Sequence, residues 1–204
     1  MTDDDDNELA QKWYETKTDM MVAILGAEHD IVMHALIPYC VGGGLDLYYF
    51  PNGATGTAIA TKELCELPGE GSANDDFDNY ELVMFTRHRI SLDDANDRNT
   101  LFGAAHYSIN AILSCIAPYS SQAKLNPKET CEFPKDTEEL GGRCIVFDAF
   151  KPLKGHNRFG LLLILEIYRS EMNFARENGG QQLIDKLSAS GYYPYSDLDR
   201  PPVA

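Results

Sequence analysis

The amino-acid sequence predicts an α+β domain in which α-helices flank one mixed, mostly antiparallel β-sheet of about six strands. Residues 159–167 form an almost unbroken apolar run of strand length, which is typical of a central strand covered on both faces. Shorter strand-like segments follow one another through short turns, and strands connected in this way pair antiparallel. Apolar residues at three- and four-residue spacing predict helices before, between and after the strands.

The first half of the chain is predicted to contain one helix and four strands. Apolar residues recur at helical spacing from Leu9 to Ile24, and Gly26 can end that helix. The four aspartates at positions 3–6 predict a disordered acidic start over about residues 1–8. The predicted strands are rich in β-branched and aromatic residues and are separated by glycine, proline and asparagine turns. They cover residues 31–39, 45–50, 56–61 and 80–86.

A second helix is predicted to begin near Leu101. Asn99 or Thr100 can serve as its N-cap, and Pro118 is predicted to end it. Residues 120–143 contain prolines and glycines without periodicity. We therefore expect a surface excursion there, with little regular structure.

The C-terminal part is predicted to contain two strands and two helices. The strands cover residues 144–150 and 159–167. Ser170 can cap the helix that follows, and the Asn-Gly-Gly sequence at 178–180 can end it. A last short helix then ends at Gly191, before a tail rich in tyrosine, proline and aspartate.

Length and composition predict a single domain that covers residues 1–204. A chain of 204 residues with 44% hydrophobic content can bury one sizeable core. No N-terminal segment combines basic residues with an apolar stretch, and no apolar run approaches the ~20 residues of a membrane span. We therefore expect neither a signal peptide nor a membrane span, and we expect a cytoplasmic protein.

The sequence contains no pattern typical of a metal, cofactor or nucleophile site. Its five cysteines include no C-x-x-C, which argues against a disulfide framework and a structural zinc site. The glycines at 42–44 precede neither a Lys-Ser/Thr pair nor a helix, so they predict a turn rather than a phosphate loop. No histidine has the spacing of a metal ligand or general base; the histidines are His29, His34, His88, His106 and His156. We therefore predict no metal and no cofactor.

Glu166 is the one charged residue inside the long apolar strand. A buried carboxylate of this kind can have a raised pKa and can act as a general acid or base. An ion pair with Arg169 or Arg87 at the end of the sheet is the more ordinary prediction. A small hydrolase that uses Glu166 and a histidine therefore stays as an alternative.

An excess of acidic residues indicates a class of partner. There are 32 acidic and 17 basic side chains, which give a net charge of −15. This charge repels nucleic acid and anionic membranes and favours a basic protein partner, although a need for solubility explains it equally well. Five aspartates in two predicted loops are the candidate partner-binding residues, because they would form one negative patch if both loops flank one edge of the sheet. They are Asp75, Asp76, Asp78, Asp93 and Asp94.

The last third of the chain carries a diffuse motif. After the long strand comes a helix with the pattern S-E-M-x-x-A-R that ends in Asn-Gly, then a short helix and a closing D-x-x-R-P. The residues are Ser170, Glu171, Met172, Ala175, Arg176, Asn178, Gly179, Asp197, Arg200 and Pro201. With the earlier segments LDLYYFP, GTAIATKEL and YELVMFT in the same order, the chain from about Ile31 onward resembles the suppressor of fused domain family. Lys62 and Glu63 replace small residues of that family, and residues 120–143 have no clear match.

The resemblance implies a protein-binding module, with no enzymatic residues to carry over. The eukaryotic member of the family restrains a transcription factor by clamping an extended peptide between two domains, and this chain resembles only the first of them. Single-domain bacterial members are associated with polymorphic toxin systems and are thought to be immunity proteins. The resemblance therefore implies an immunity protein that neutralises a toxin, and an acidic protein suits a basic toxin. The alternatives are a regulatory peptide-binding module and the hydrolase described above.

Overall fold

A mixed β-sheet of seven strands lies at the centre of the fold. The computed structural model describes residues 3–151 and 159–204. The strands follow the order β1-β2-β3-β4-β7-β6-β5 across the sheet, and every neighbouring pair is antiparallel except β4 and β7. They are β1 (Val32–Met33), β2 (Leu47–Phe50), β3 (Thr57–Ala60), β4 (Asn79–Thr86), β5 (Thr130–Glu132), β6 (Cys144–Phe150) and β7 (Phe159–Ile167). The predicted α+β class and the mostly antiparallel sheet are confirmed.

Four α-helices cover the two faces of this sheet. They are α1 (Asp3–Leu25), α2 (Leu101–Ser120), α3 (Arg169–Asn178) and α4 (Gly180–Ala189). Side chains of α1, α3 and α4 pack on one face, and side chains of α2 pack on the other. The alternation of β7 follows from this arrangement: Leu161 and Leu163 face the first layer, while Leu162 and Ile164 face α2. All nine residues of β7 are buried, so it is the central strand that its sequence predicts.

Helix α2 is unusually apolar. By length and composition alone it could cross a membrane, yet nearly half of the apolar stretch is buried inside the domain. A core helix packed on a sheet has the same properties. Thr100 caps α2, since its hydroxyl accepts a hydrogen bond from the Gly103 amide at 3.0 Å. The helix continues two residues beyond Pro118, where the missing proline amide removes only one hydrogen bond near the helix end.

Two other predicted boundaries were wrong, and the predicted surface excursion contains one strand. Residues 120–143 were predicted to have little regular structure, and they contain only one strand, β5, a short edge strand that pairs with β6. The helix α3 begins at Arg169, one residue before Ser170, and the Glu171 carboxylate accepts from the Tyr168 amide at 2.9 Å in place of a serine cap. α1 begins at Asp3, so the acidic run predicted to be disordered has helical backbone.

The predicted strand at residues 31–39 is largely absent. Only Val32 and Met33 pair with β2, and a short 3-10 helix, Tyr39–Val41, follows. Beyond Met33 the Ala35 amide donates to the Asp46 carboxylate at 2.9 Å instead of to the backbone of a strand. The chain leaves the sheet at this point, after two paired residues, and Pro38, which has no amide hydrogen, then precedes the 3-10 helix.

The C-terminal tail fills a gap between the two parallel strands. β4 and β7 pair as far as Val83 and Leu163. Beyond that point Ser196 lies between them: its amide donates to the Phe85 carbonyl at 2.9 Å, and its hydroxyl donates to the Ile164 carbonyl at 3.1 Å. The tail thus completes the sheet where the parallel strands separate.

An ion pair buried under the tail holds it in place. Both oxygens of Glu171 accept from the Arg200 guanidinium, at 2.6 and 2.9 Å. The same carboxylate accepts from the Val203 amide at 2.8 Å. Closer to the sheet, Asp197 accepts from the Thr86 hydroxyl at 2.6 Å. The aspartate and arginine of the closing D-x-x-R-P motif therefore have structural roles.

Candidate functional site

A cleft lies beside the tail, at the carboxyl ends of the parallel strands β4 and β7. Its volume is about 390 Å³ and its walls are mainly apolar. Leu101 and Ala105 of α2 form one wall, and Leu198 of the tail forms the opposite wall. Arg143 and Glu166 lie in the same cleft. This is the position at which open sheets with parallel strands commonly bind ligands.

Glu166 is paired in this cleft, but with a different arginine from those predicted. The Arg143 Nε donates to Glu166 Oε1 at 2.6 Å, and its Nη2 donates to Glu166 Oε2 and to the Ser108 hydroxyl. Glu166 lies opposite Ile145 across the β6–β7 pair, so Arg143 is its diagonal neighbour on the same face. The predicted partners bind elsewhere: Arg169 pairs with Glu132, and Arg87 with aspartates of the tail.

The histidines are dispersed among the described residues. His88 lines the cleft that contains Glu166, with its Nε2 at 3.9 Å from Asp197 Oδ1. His106 lies on the buried face of α2 and shares a hydrogen bond of 2.9 Å with the Tyr49 hydroxyl. His34 bonds to Asp46 at 2.6 Å, and the His29 ring accepts from the backbone. His156 lies outside the described residues. Within residues 3–151 and 159–204, no three His, Cys, Asp or Glu side chains are grouped to hold a metal ion.

The sequence reasoning missed a second buried ion pair. Lys17 of α1 places its Nζ 2.7 Å from Glu81 Oε1, and both side chains are almost completely buried. The same ammonium donates to the Cys65 carbonyl at 2.9 Å, while Glu81 accepts from the Thr61 hydroxyl at 2.7 Å and from the Leu64 amide. One sequence signal was available, because this lysine lies on the apolar side of α1 between Trp13 and Met21 at four-residue spacing.

The Cys65 thiol beside this pair is held in its neutral form. Burial, reinforced by the negative charge of Glu81, raises the pKa of Cys65 far above its usual 9.0. A thiolate is the form that attacks substrates and binds metals. Cys65 is therefore unsuited to nucleophilic catalysis.

The five candidate aspartates lie in two separate loops. Asp75, Asp76 and Asp78 lie in the loop before β4, whereas Asp93 and Asp94 lie in the loop after it. An eight-residue strand such as β4 spans roughly 25 Å, and the loops lie at its opposite ends. One aspartate in each loop accepts a hydrogen bond from a neighbouring side chain. Lys124 donates to Asp75 at 2.8 Å, and Ser91 donates to Asp94 at 2.6 Å.

Comparison with solved structures agrees with this architecture. A suppressor of fused homolog from Neisseria gonorrhoeae superposes with a TM-score of 0.56 and 13% identity, over 95% of this chain and 98% of that one. A chain of the Sufu–Fu complex superposes with a TM-score of 0.60 and 12% identity, over 96% of this chain and 92% of that one. This chain has the suppressor of fused fold. No family model and no curated protein matches the sequence.

Residues of the C-terminal motif that resembles the suppressor of fused family have structural roles in this fold. Glu171 and Arg200 form the buried pair under the tail, and Gly179 separates α3 from α4 with a positive φ of 93°. At 12–13% identity the likeness shows the fold alone. What the domain does must therefore be argued from its charges and surfaces.

Proposed function

We propose that this suppressor of fused-like domain is a non-enzymatic, cytoplasmic protein-binding domain, and that it is an immunity protein that neutralises a basic toxin. The observation that supports this proposal is where its charges lie. The four buried carboxylates of the described residues are each balanced by a lysine or arginine; they are Glu81, Asp148, Glu166 and Glu171. The net charge of −15 is therefore carried by the surface, where it attracts a basic protein and speeds association.

One observation favours a second candidate, a hydrolase. Glu166 and His88 line the same cleft, as a carboxylate and a histidine of a catalytic pair would. The hydrogen bonds of the cleft argue against it, because both Glu166 oxygens accept from Arg143. In a catalytic pair the histidine ring would be hydrogen-bonded to the carboxylate. Here the carboxylate beside the His88 ring is that of Asp197, at 3.9 Å, and Glu166 is paired with Arg143, so binding is the stronger proposal.

The test uses the gene next to the one that encodes this chain. Where that gene encodes a large secreted protein with a C-terminal toxin domain, the toxin domain is expressed in cells alone and together with this chain. We expect co-expression to restore growth and the two purified proteins to elute as one complex. A Leu163→Asp variant, which we expect to be unfolded, is the control and should not protect. Growth arrest that persists in the presence of soluble, folded chain would overturn the proposal.

A further inference from the structure

A group of large apolar side chains is exposed between α1 and β2. Leu36 is fully exposed, at 103% of its reference area, and Val41 is exposed to 70%. Exposed apolar groups scattered singly need no explanation, but several of them within residues 31–41 mark a candidate interaction surface. We call this set the apolar platform. Its members are Ile31, Met33, Leu36, Ile37 and Val41.

The backbone holds the apolar platform in a fixed shape. The Gly44 amide donates to the Ile37 carbonyl, and the Gly43 amide to the Pro38 carbonyl, both at 3.0 Å. A Cβ on Gly43 would lie 1.9 Å from the Ile37 carbonyl oxygen, so only glycine fits there. Asp46 anchors the other end, since its Oδ1 accepts from the Ala35 amide at 2.9 Å. The apolar side chains are therefore displayed by an ordered loop.

An acidic cleft adjoins the apolar platform. It has a volume of about 290 Å³. Its walls are formed by the 3-10 helix Tyr39–Val41 and by the segment that follows β3. Three glutamates line it: Glu63, Glu66 and Glu70. No salt bridge among the described residues joins any of them to a basic side chain. The nearest lysine in sequence, Lys62, is buried and pairs with Glu28 instead.

The electrostatics of this acidic cleft favour a cation. Burial raises the pKa of Glu63 above its usual 4.5, and the negative charges of Asp46, Glu81 and Glu66 raise it further. An amide hydrogen bond from Asp46 opposes this rise but does not cancel it. A lysine or arginine side chain placed in the cleft would relieve the repulsion. The glutamates of the cleft therefore lack the paired lysine or arginine that each interior carboxylate has.

We propose that the apolar platform and the acidic cleft form one docking surface for a basic amphipathic helix of a partner protein. The apolar face of such a helix would cover Leu36 and Val41, and its lysines or arginines would enter the cleft beside Glu66 and Glu70. A second copy of this chain is the poorer occupant, because its own acidic cleft would add negative charge. The inference deepens the proposed function, on which it rests for the class of partner, and it concerns a surface distinct from the five candidate aspartates.

The probe is a synthetic peptide of about 18 residues in which leucines form one face of a helix and lysines the other. Binding to the full chain is followed by amide chemical shifts. We expect shifts confined to residues 31–46 and 61–71. A peptide with glutamate in place of lysine should not bind. Shifts centred on another surface, or equal binding of both peptides, would overturn the proposal.

Two double variants separate the apolar and acidic contributions. Leu36→Ser with Val41→Ser should weaken peptide binding roughly tenfold or more, as loss of central apolar contacts does in other interfaces. The matched control is Tyr119→Ser, which removes an exposed apolar side chain at the end of α2. Glu66→Gln with Glu70→Gln should weaken binding mainly at low salt. Its control is Asp136→Asn with Glu138→Gln, which changes the charge equally between β5 and β6, at the far side of the sheet from β1.

The toxin and the peptide test different claims. Should the adjacent toxin bind the Leu36→Ser, Val41→Ser variant as tightly as the unaltered chain, the docking surface is wrong while the immunity function stands. Should the peptide bind at this surface although the toxin is not neutralised, the immunity function fails while the surface stands. Dimerisation of the chain that the same double variant abolishes would show that the surface serves self-association, and would overturn the inference.

Discussion

Carboxylates in the interior of this domain are paired with cations, whereas the glutamates of the acidic cleft beside the apolar platform are not. Inside, Glu81 and Glu171 each accept hydrogen bonds from a buried cation and from backbone amides. At the platform, Glu66 and Glu70 line a cleft beside exposed apolar side chains and form no ion pair with a basic residue of the described chain. A buried charge without a partner costs several kcal/mol, whereas an exposed one costs little. The interior charges therefore stabilise the fold, and the surface charges are available to a partner.

The largest expected effect comes from a charge placed in the interior without a partner. Leu163 lies in β7, opposite Asp148 of β6. Leu163→Asp would bury an unpaired carboxylate next to another one, and we expect a loss of well over ~3 kcal/mol, enough to unfold the domain. Circular dichroism melts check this, with Leu163→Met as the control that should lose less than about 1.5 kcal/mol. A melt that barely moves would show that the central strand is misplaced.

Removal of one partner from a buried pair should have the next largest effect. Lys17→Met leaves Glu81 and the Cys65 carbonyl without their cation, at an expected cost of about 3–5 kcal/mol. Lys12→Met is the matched control, because Lys12 lies five residues earlier, on the exposed side of α1. Denaturant unfolding measures both variants. Equal stability of the two would contradict a structural role for the pair.

A smaller effect is expected from the buried histidine. Burial lowers the pKa of His106 below its usual 6.5, although a hydrogen bond with the Ala95 carbonyl acts in the opposite direction. The unfolded chain takes up this proton near pH 6.5 and the folded chain does not, so the free energy of unfolding should fall as the pH drops below 6.5. The slope is at most about 1.4 kcal/mol per pH unit.

His106→Phe tests this pH dependence. The variant also loses the hydrogen bond to Tyr49, which shifts its stability at every pH without adding a slope. Denaturant unfolding at about pH 7 and about pH 5.5 should therefore show a smaller change in the variant than in the unaltered chain. An identical change in both would mean that His106 contributes nothing to the pH dependence.

The smallest effect on stability is expected from the five candidate aspartates at the surface. Conversion of Asp75, Asp76, Asp78, Asp93 and Asp94 to asparagine should change stability by about 1 kcal/mol or less, since exposed ion pairs contribute little. The association rate with the cognate toxin should fall at low salt and converge with that of the unaltered chain at high salt. Stopped-flow mixing across ionic strength measures it; unchanged rates at low salt would exclude these residues.

Because these aspartates lie in two loops, each loop can be tested by a variant of its own. The first three lie before β4 and the last two after it, so the two groups would contact different parts of a partner. Two partial variants, one for each loop, should therefore differ in their effect on the association rate. Equal effects would indicate that the aspartates act only through the net charge of the domain.

The sequence predicted those features that depend on neighbouring residues. The apolar run of β7, the Thr100 cap and the Gly179 break are all local, and the structure confirms each. The strand β5 was missed because three residues carry no periodicity and their strand conformation depends on pairing with β6. The Lys17–Glu81 pair was missed because its members are 64 positions apart.

The failed strand at residues 31–39 is informative in a different way. Its apolar residues predict a strand, but only Val32 and Met33 pair with β2, and Leu36 and Ile37 are exposed. Places where apolar sequence does not lead to burial are where function is expected. Likewise, Glu166 was correctly predicted to be buried and paired, but its partner Arg143 follows from the register of β6 against β7, which the sequence does not reveal.

Glu166 gives the most direct test of the claim that the interior charges hold the fold and that binding happens at the surface. Glu166→Gln keeps the shape of the side chain but weakens its bonds to Arg143, in a cleft where a catalytic carboxylate would also lie. The measurement compares the melting temperature and the toxin-neutralising activity of this variant with those of the unaltered chain. We predict a lower melting temperature and full activity below it. A variant that melts like the unaltered chain but has lost its activity would contradict the account and favour an enzyme.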